Sequence, residues 1–250
     1  MRGISAHGEP PRYFTFDALA AAGVSHLTTT RHFPGVSSPA EPVAPFTADA
    51  LEPLAAAGLD GTRLAYARQV HGAAVVRAPA SGGYAGDADI LASAARALAL
   101  AVVTADCLPI VLVDLGAPGL VLAHVGWRGT VVRAQQAAVR ALSWLGGSPA
   151  RARVAIGPSI GPCCYEVDQP VIDAVAGAHG PRARQWMTPA RTAGRVLLDL
   201  WSANEALLAD VGVDPARLEN PQLCTACHPD LLYSYRTGHG GRLVTVAALP

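Results

Sequence analysis

Between Leu98 and Asp114 the chain reads LALAVVTADCLPIVLVD, two apolar runs that look like buried β-strands, parted by an acid, a thiol and a proline. Any fold must bury both runs and place Asp106 and Cys107 at their joint. Pro109 would fix the backbone just beyond the thiol. Cys107 itself is open to three readings: nucleophile, metal ligand or small apolar filler.

Further strands are expected at 73–78, 120–125, 153–157 and 243–249, each short and rich in Val, Ile, Leu or Ala. Helices are expected at 47–60, with Thr47 as cap and Gly58 near the end, and at 130–146, 169–180 and 195–212. Val196, Leu197, Leu200, Trp201, Leu207 and Leu208 form the apolar stripe of the last. Strands and helices mix without βαβ alternation, which favours α+β layers over a doubly wound sheet. The Pro- and Ser-rich stretch 34–46 reads as an exposed loop. With no internal repeat and no dividing linker, residues 1–250 are expected to form a single domain.

Composition excludes several classes. The formal net charge is zero, so no basic field is available for nucleic acid or an anionic membrane. No eighteen apolar residues run together, so no membrane-spanning helix is expected. The opening residues MRGISAHGEPPRYF lack the apolar run of a signal peptide. The five cysteines are therefore expected in a reducing cytoplasm, free or on a metal.

Polar residues punctuate this apolar chain at RQVHG (68–72), TADCLP (104–109), HVGWRGT (124–130), GPSIGPCCYEV (157–167) and CTACHPDLLYSYR (224–236). In LVLAHV, Leu120, Leu122 and His124 share one strand face. The helix start after GWRG, with Arg128 beside it and Thr130 as cap, would suit an anion; Trp127 and Arg128 serve equally well as packing and surface residues. His71, Cys107 and His124 are each weak alone. Together, two imidazoles and a thiolate with an open fourth position form a known catalytic zinc arrangement, although their spacings of 36 and 17 residues match no short motif.

Other patterns carry less. CTACH spells a haem-attachment motif, but that chemistry normally follows export. Cys224 and Cys227 could be a redox pair, or simply two thiols on a loop. Cys163, Cys164, Cys224 and Cys227 could close a structural zinc site, but adjacent cysteines rarely both ligate one tetrahedral ion. HGE at 7–9 lacks the P-C-x-x-C partner of zinc deaminases. No nucleophile elbow, Walker loop or dinucleotide fingerprint is present.

Taken in order, QVHG, TADCLP, HVGWRG, IGPSIGPCCYEV and CTxC…SYR resemble the laccase-domain family, also called YfiH-type, "polyphenol oxidase" or peptidoglycan editing factor proteins. The likeness spans 28–242, from TTTRHFPGVS to SYRTGHGGR. It implies an α/β/β/α layered fold of mixed sheets and one zinc ion held by His71, Cys107 and His124. It implies purine nucleoside phosphorolysis, with adenosine deamination at the same site. Asp106 is then a candidate acid or base, and Arg31 and Arg128 are candidates for the phosphate site. Gln69 and Asp89 are candidates for substrate contact, or equally for turn capping. The family's other attributions are metal-assisted amidase editing of Ser-containing muramyl precursors and copper-dependent polyphenol oxidation. The copper reading is disfavoured, because a laccase proper needs more histidine ligands than the eight this chain contains. The segment RHFPGVSSPAEPVAPFTADAL departs from the family: Gly-Gly after the arginine, then Asn-Leu-Gly and Gly-Asp-Asp, are missing or shortened. Substrate choice is where that departure should be felt.

Overall fold

The computed structural model describes residues 3–37 and 44–250. Positions 38–43 of the expected loop lie outside the described residues. Its described flanks, Ser37 and Pro45, are joined by a hydrogen bond from Ser37 N to Pro45 O at 2.9 Å.

Two mixed sheets form the centre, one of seven strands and one of six, with a third sheet of three short strands beside them. The fold is α+β, as the lack of βαβ alternation in the sequence predicts. Leu100, Val102, Val111, Val113, Leu120 and Leu122 meet between the large sheets. The outer face of the six-stranded sheet is covered by the helices Ala134–Trp144 and Leu200–Ala209 through Ala138, Leu142, Leu207 and Leu208. On the outer face of the seven-stranded sheet, Leu54 and Leu59 pack over Ala101 and Val246. The layers thus run α/β/β/α. Leu108–Asp114 and Gly119–Val125 are buried at every residue, because both their faces are covered. That explains their near-continuous Val, Ile and Leu text.

The connections between the sheets build the site. Leu64–Arg68 pairs in parallel with Gly83–Asp87 and with Ala99–Thr104 in the seven-stranded sheet. Each of the three leads directly into a strand of the other sheet: Val75–Arg77, Ile90–Ser93 and Leu108–Asp114 respectively. Because the departing strands are parallel, all three crossings leave the same end of the sandwich. Gly119–Val125 pairs antiparallel with Leu108–Asp114 and Ile90–Ser93, so it runs back and delivers His124 to that end too.

Several expectations need correction. The helix expected at 47–60 is a 3-10 turn, Ala48–Ala50, followed by the short helix Leu51–Ala56, with no side-chain cap from Thr47. The helix expected at 130–146 begins earlier, as Trp127–Val131, and restarts as Ala134–Trp144 after Arg133, whose φ is 61°. Thr130 is therefore inside a helix, its hydroxyl donating to Gly126 O at 3.0 Å, rather than capping one. The stretch 195–212 divides: Val196–Leu198 is a strand paired with Glu166–Val167 and Met187–Pro189, and the helix is Leu200–Ala209. Asp199 stops the strand and caps the helix by accepting from Ser202 N at 3.0 Å. Pro109 lies just beyond the thiol as expected, but inside the second strand, opposite His124, rather than in the joint between the two strands.

Candidate metal centre and adjoining cavity

The three crossings carry His71, Asp89 and Cys107, and the returning strand carries His124. The ligand atoms of His71, Cys107 and His124 all lie within 4.8 Å of one another. The two imidazole rings meet edge to face, with centroids 4.8 Å apart. Both His71, with φ of 61°, and Asp106, with φ of 90°, occupy left-handed backbone that non-glycine residues avoid. Such conformations persist where surrounding bonds over-determine them.

At His71 those bonds come from Asp89, which is buried at 1% exposure. Its carboxylate accepts from His71 N at 2.9 Å, Gly72 N at 2.6 Å and Val70 N at 3.3 Å. The same carboxylate takes His124 Nδ1 at 2.8 Å, which leaves Nε2 of that ring for Cys107 or a metal. Asp89 therefore holds both histidines through hydrogen bonds and is absent from the cavity wall.

The charges follow from this packing. Burial pushes the Cys107 thiol up, but His124 and His71 pull it down further, to about 6. Burial pushes His124 down, and the facing thiolate and Asp89 raise it, to about 9. Asp89 is raised by burial and lowered by more, chiefly through its bond to His124. Without metal the cluster is thus a thiolate–imidazolium pair, with its softest donor already ionised. Gly126 leaves the space: a Cβ there would sit 2.7 Å from Cys107 Sγ and 3.7 Å from His71 Cδ2. A thiolate, two imidazoles, a carboxylate behind one of them and a cradle closed to any larger residue fit a single metal ion.

The cluster opens onto a cavity of about 740 Å³. Asp106 lies on its wall, 9% exposed, accepting from Thr225 Oγ1 at 2.6 Å and Arg236 N at 2.7 Å. Gln69 reaches the wall with its amide occupied, donating to Val103 O at 2.6 Å and accepting from Val103 N at 2.7 Å. Those two bonds satisfy the Val103 backbone. Arg128 lines the cavity, its guanidinium 4.4 Å from the Trp127 ring centre. Arg31 lies off the wall: it donates to Pro229 O and stacks over Tyr233 at 5.1 Å.

Sequence reasoning assigned no role to Arg236, Arg242 or Tyr165, which also line the cavity. Arg236 stands 5.2 Å over the Tyr165 ring and donates to Glu166 O at 2.6 Å. The SYR and CCYEV stretches held the signal, but no spacing rule says which face of a loop looks inward. Thr104 also lines the cavity, and its buried hydroxyl has no hydrogen-bond partner among the described residues.

This is a mixed-sheet α+β protein whose histidine–cysteine cluster, able to hold one metal ion, lies at the end of a two-sheet sandwich beside a cavity. Residues 48–250 match the family described as "Multi-copper polyphenol oxidoreductase laccase", and the chain belongs to that family. It is 38% identical over 199 residues to a purine nucleoside phosphorylase of Deinococcus radiodurans, covering 78% of this chain and 74% of that one. It is 36% identical over 148 residues to the adenosine deaminase RL5 of an unknown prokaryotic organism, covering 59% of this chain and 56% of that one. The crystal structure of Bacillus licheniformis hypothetical protein YfiH shares the fold, with a TM-score of 0.85 over 100% of both chains at 24% identity.

Proposed function

We propose that this chain is a cytoplasmic, zinc-dependent purine nucleoside phosphorylase that also deaminates adenosine. Its substrates are adenosine, inosine, guanosine or methylthioadenosine with phosphate, and its products the free base and ribose 1-phosphate, or 5-methylthioribose 1-phosphate from methylthioadenosine. The observation that carries the reading is a metal-competent cluster opening onto a cavity walled by aromatic rings and guanidinium groups. Relatives named for the two activities support it.

Two imidazoles and one thiolate with a free position suit zinc, which when bound supplies Lewis acidity at the cavity floor. Arg128 and Arg236 hold the phosphate beside the ribose, each guanidinium kept in place by its aromatic partner. Trp127, Tyr165 and Tyr235 offer ring faces to the purine. Burial raises the Tyr165 hydroxyl well above its ordinary value, so it stays a donor at neutral pH. Asp106 holds or gives the proton that the departing base or amine requires. Multicopper oxidation has little to use here: of eight histidines only His71 and His124 converge on a metal-competent cluster among the described residues.

Incubating zinc-loaded protein with adenosine and phosphate should give adenine with ribose 1-phosphate, and inosine without phosphate. Cys107→Ala should abolish both. Neither product from the wild type would sink the reading, and serine released from UDP-muramyl-Ser instead would favour the amidase.

A further inference from the structure

A second cluster of soft donors lies outside the cavity. The Sγ atoms of Cys163, Cys164, Cys224 and Cys227 all fall within 4.8 Å of one another, and none of the four lines the cavity. Cys227 is 3.5 Å from Cys163 and 3.4 Å from Cys164, so the adjacent pair converges instead of diverging. A turn closed by Cys164 N donating to Gly161 O at 3.0 Å brings this about. Those separations are far longer than a disulfide of about 2.05 Å. They fall a few tenths of an ångström inside the sulfur–sulfur edge of about 3.8 Å that four zinc–sulfur bonds of about 2.3 Å at tetrahedral angles require, and the 4.8 Å limit on all six pairs leaves room for it.

The local backbone is arranged for a thiolate as well. Gly161 N donates to Cys224 Sγ at 3.2 Å, a bond that stabilises negative sulfur. Cys224 is buried, while Cys163 and Cys227 are exposed, so an ion has a route in from solvent. The arrangement is too narrow for a multi-iron cluster, which spreads its thiolates around several metal atoms.

We propose that these four cysteines form a second metal site, a tetrathiolate holding one zinc-class divalent ion in a structural role. Cys163 and Cys164 belong to the loop that carries Tyr165, and Cys224 and Cys227 to the one that carries Thr225 and Arg236. Backbone bonds already join the two segments, Ser159 N to Leu223 O at 3.2 Å and Thr225 N to Ser159 O at 3.1 Å. An ion across the cysteines fastens the cavity wall at the residues that hold Asp106. The site stands on its own geometry, whatever the cavity turns over.

Metal analysis of protein purified under reducing conditions without chelator tests this. Wild type should carry about two zinc ions per chain, and Cys107→Ala and Cys227→Ser about one each, since each variant loses a different site. Cobalt-loaded Cys107→Ala should show the intense thiolate-to-metal absorption of four sulfur ligands. Should Cys227→Ser fail to fold, thiol labelling of Cys107→Ala decides: its four remaining cysteines should resist labelling until a chelator is added. A Cys107→Ala protein free of metal, with those thiols labelling freely, overturns the proposal. So does an intact mass short of the hydrogens of a disulfide.

Discussion

At the scale of the residue, Asp89 has the most to lose. Its two oxygens serve three backbone N–H groups and one imidazole, all donors. Asp89→Asn puts an N–H₂ where acceptors are required, and metal affinity should fall by about 10–100-fold, measured by chelator competition. Asp106 has the same weakness. Its oxygens accept from a hydroxyl and an N–H, so an amide keeps both partners only by turning its N–H₂ to Thr225, whose hydroxyl must then accept, and it loses the charge that strengthens both bonds. Asp106→Asn should cost about 1–3 kcal/mol of stability in denaturant unfolding and lower turnover, while the metal stays bound. The cluster's charges set a pH dependence. Binding needs Cys107 as thiolate and His124 neutral; with the thiol at about 6 and the imidazole at about 9, one proton must leave in between. Apparent affinity should therefore rise by about tenfold per pH unit between those values and level off above the upper one. Titrating a chromophoric chelator across that range would show it, and a flat response would refute the ion-pair description.

At the scale of the element, the turn between Gly119–Val125 and Trp127–Val131 leaves almost nothing free. Gly126→Ala aims its Cβ at Cys107 Sγ, so metal content should drop at least as far as in Asp89→Asn. The sheets, lacking any other clash at that position, should unfold within about 1–3 kcal/mol of wild type. Much at this scale was legible in the text. The strands around TADCLP, the face shared by Leu120, Leu122 and His124, and the layered class all follow from apolar periodicity, because burial imposes it. The misread stretch at 195–212 shows the limit. Val196 and Leu197 fit a helical stripe as well as a strand, and Asp199, which separates the two, acts through a cap that periodicity ignores. Of the cavity's arginines Arg128 was legible and Arg236 was not, for a related reason: Arg31 and Arg236 each follow polar text, and only tertiary contact separates the one stacked on Tyr233 from the one facing the site. Asp89 was visible as an acid but not as a hub, since its partners lie on two other segments.

At the scale of the molecule, no repeat is visible in the sequence, yet the backbone makes the same move three times. A parallel strand of one sheet ends, the chain steps across, and a strand of the other sheet begins. Convergence of His71, Asp89 and Cys107 is a by-product of that repetition, which places three polar joints at one end of an apolar sandwich. Among the described residues no helix is long and apolar enough to cross a membrane. Metal in the His71–Cys107–His124 cluster at about 100 times its dissociation constant should add about 2.7 kcal/mol to unfolding, a share of the rise in Tm that Cys107→Ala loses while keeping any share from the four other cysteines.

The three crossings also make the site a rivet. His71 and Cys107 sit on joints anchored in both sheets, while His124 hangs from one of them, so the donors keep their spacing only while the sheets keep their alignment. Any slip of one sheet along the other would shear the cluster before exposing the core between them. Occupancy of the metal site is thus a gauge of how well the whole sandwich is seated.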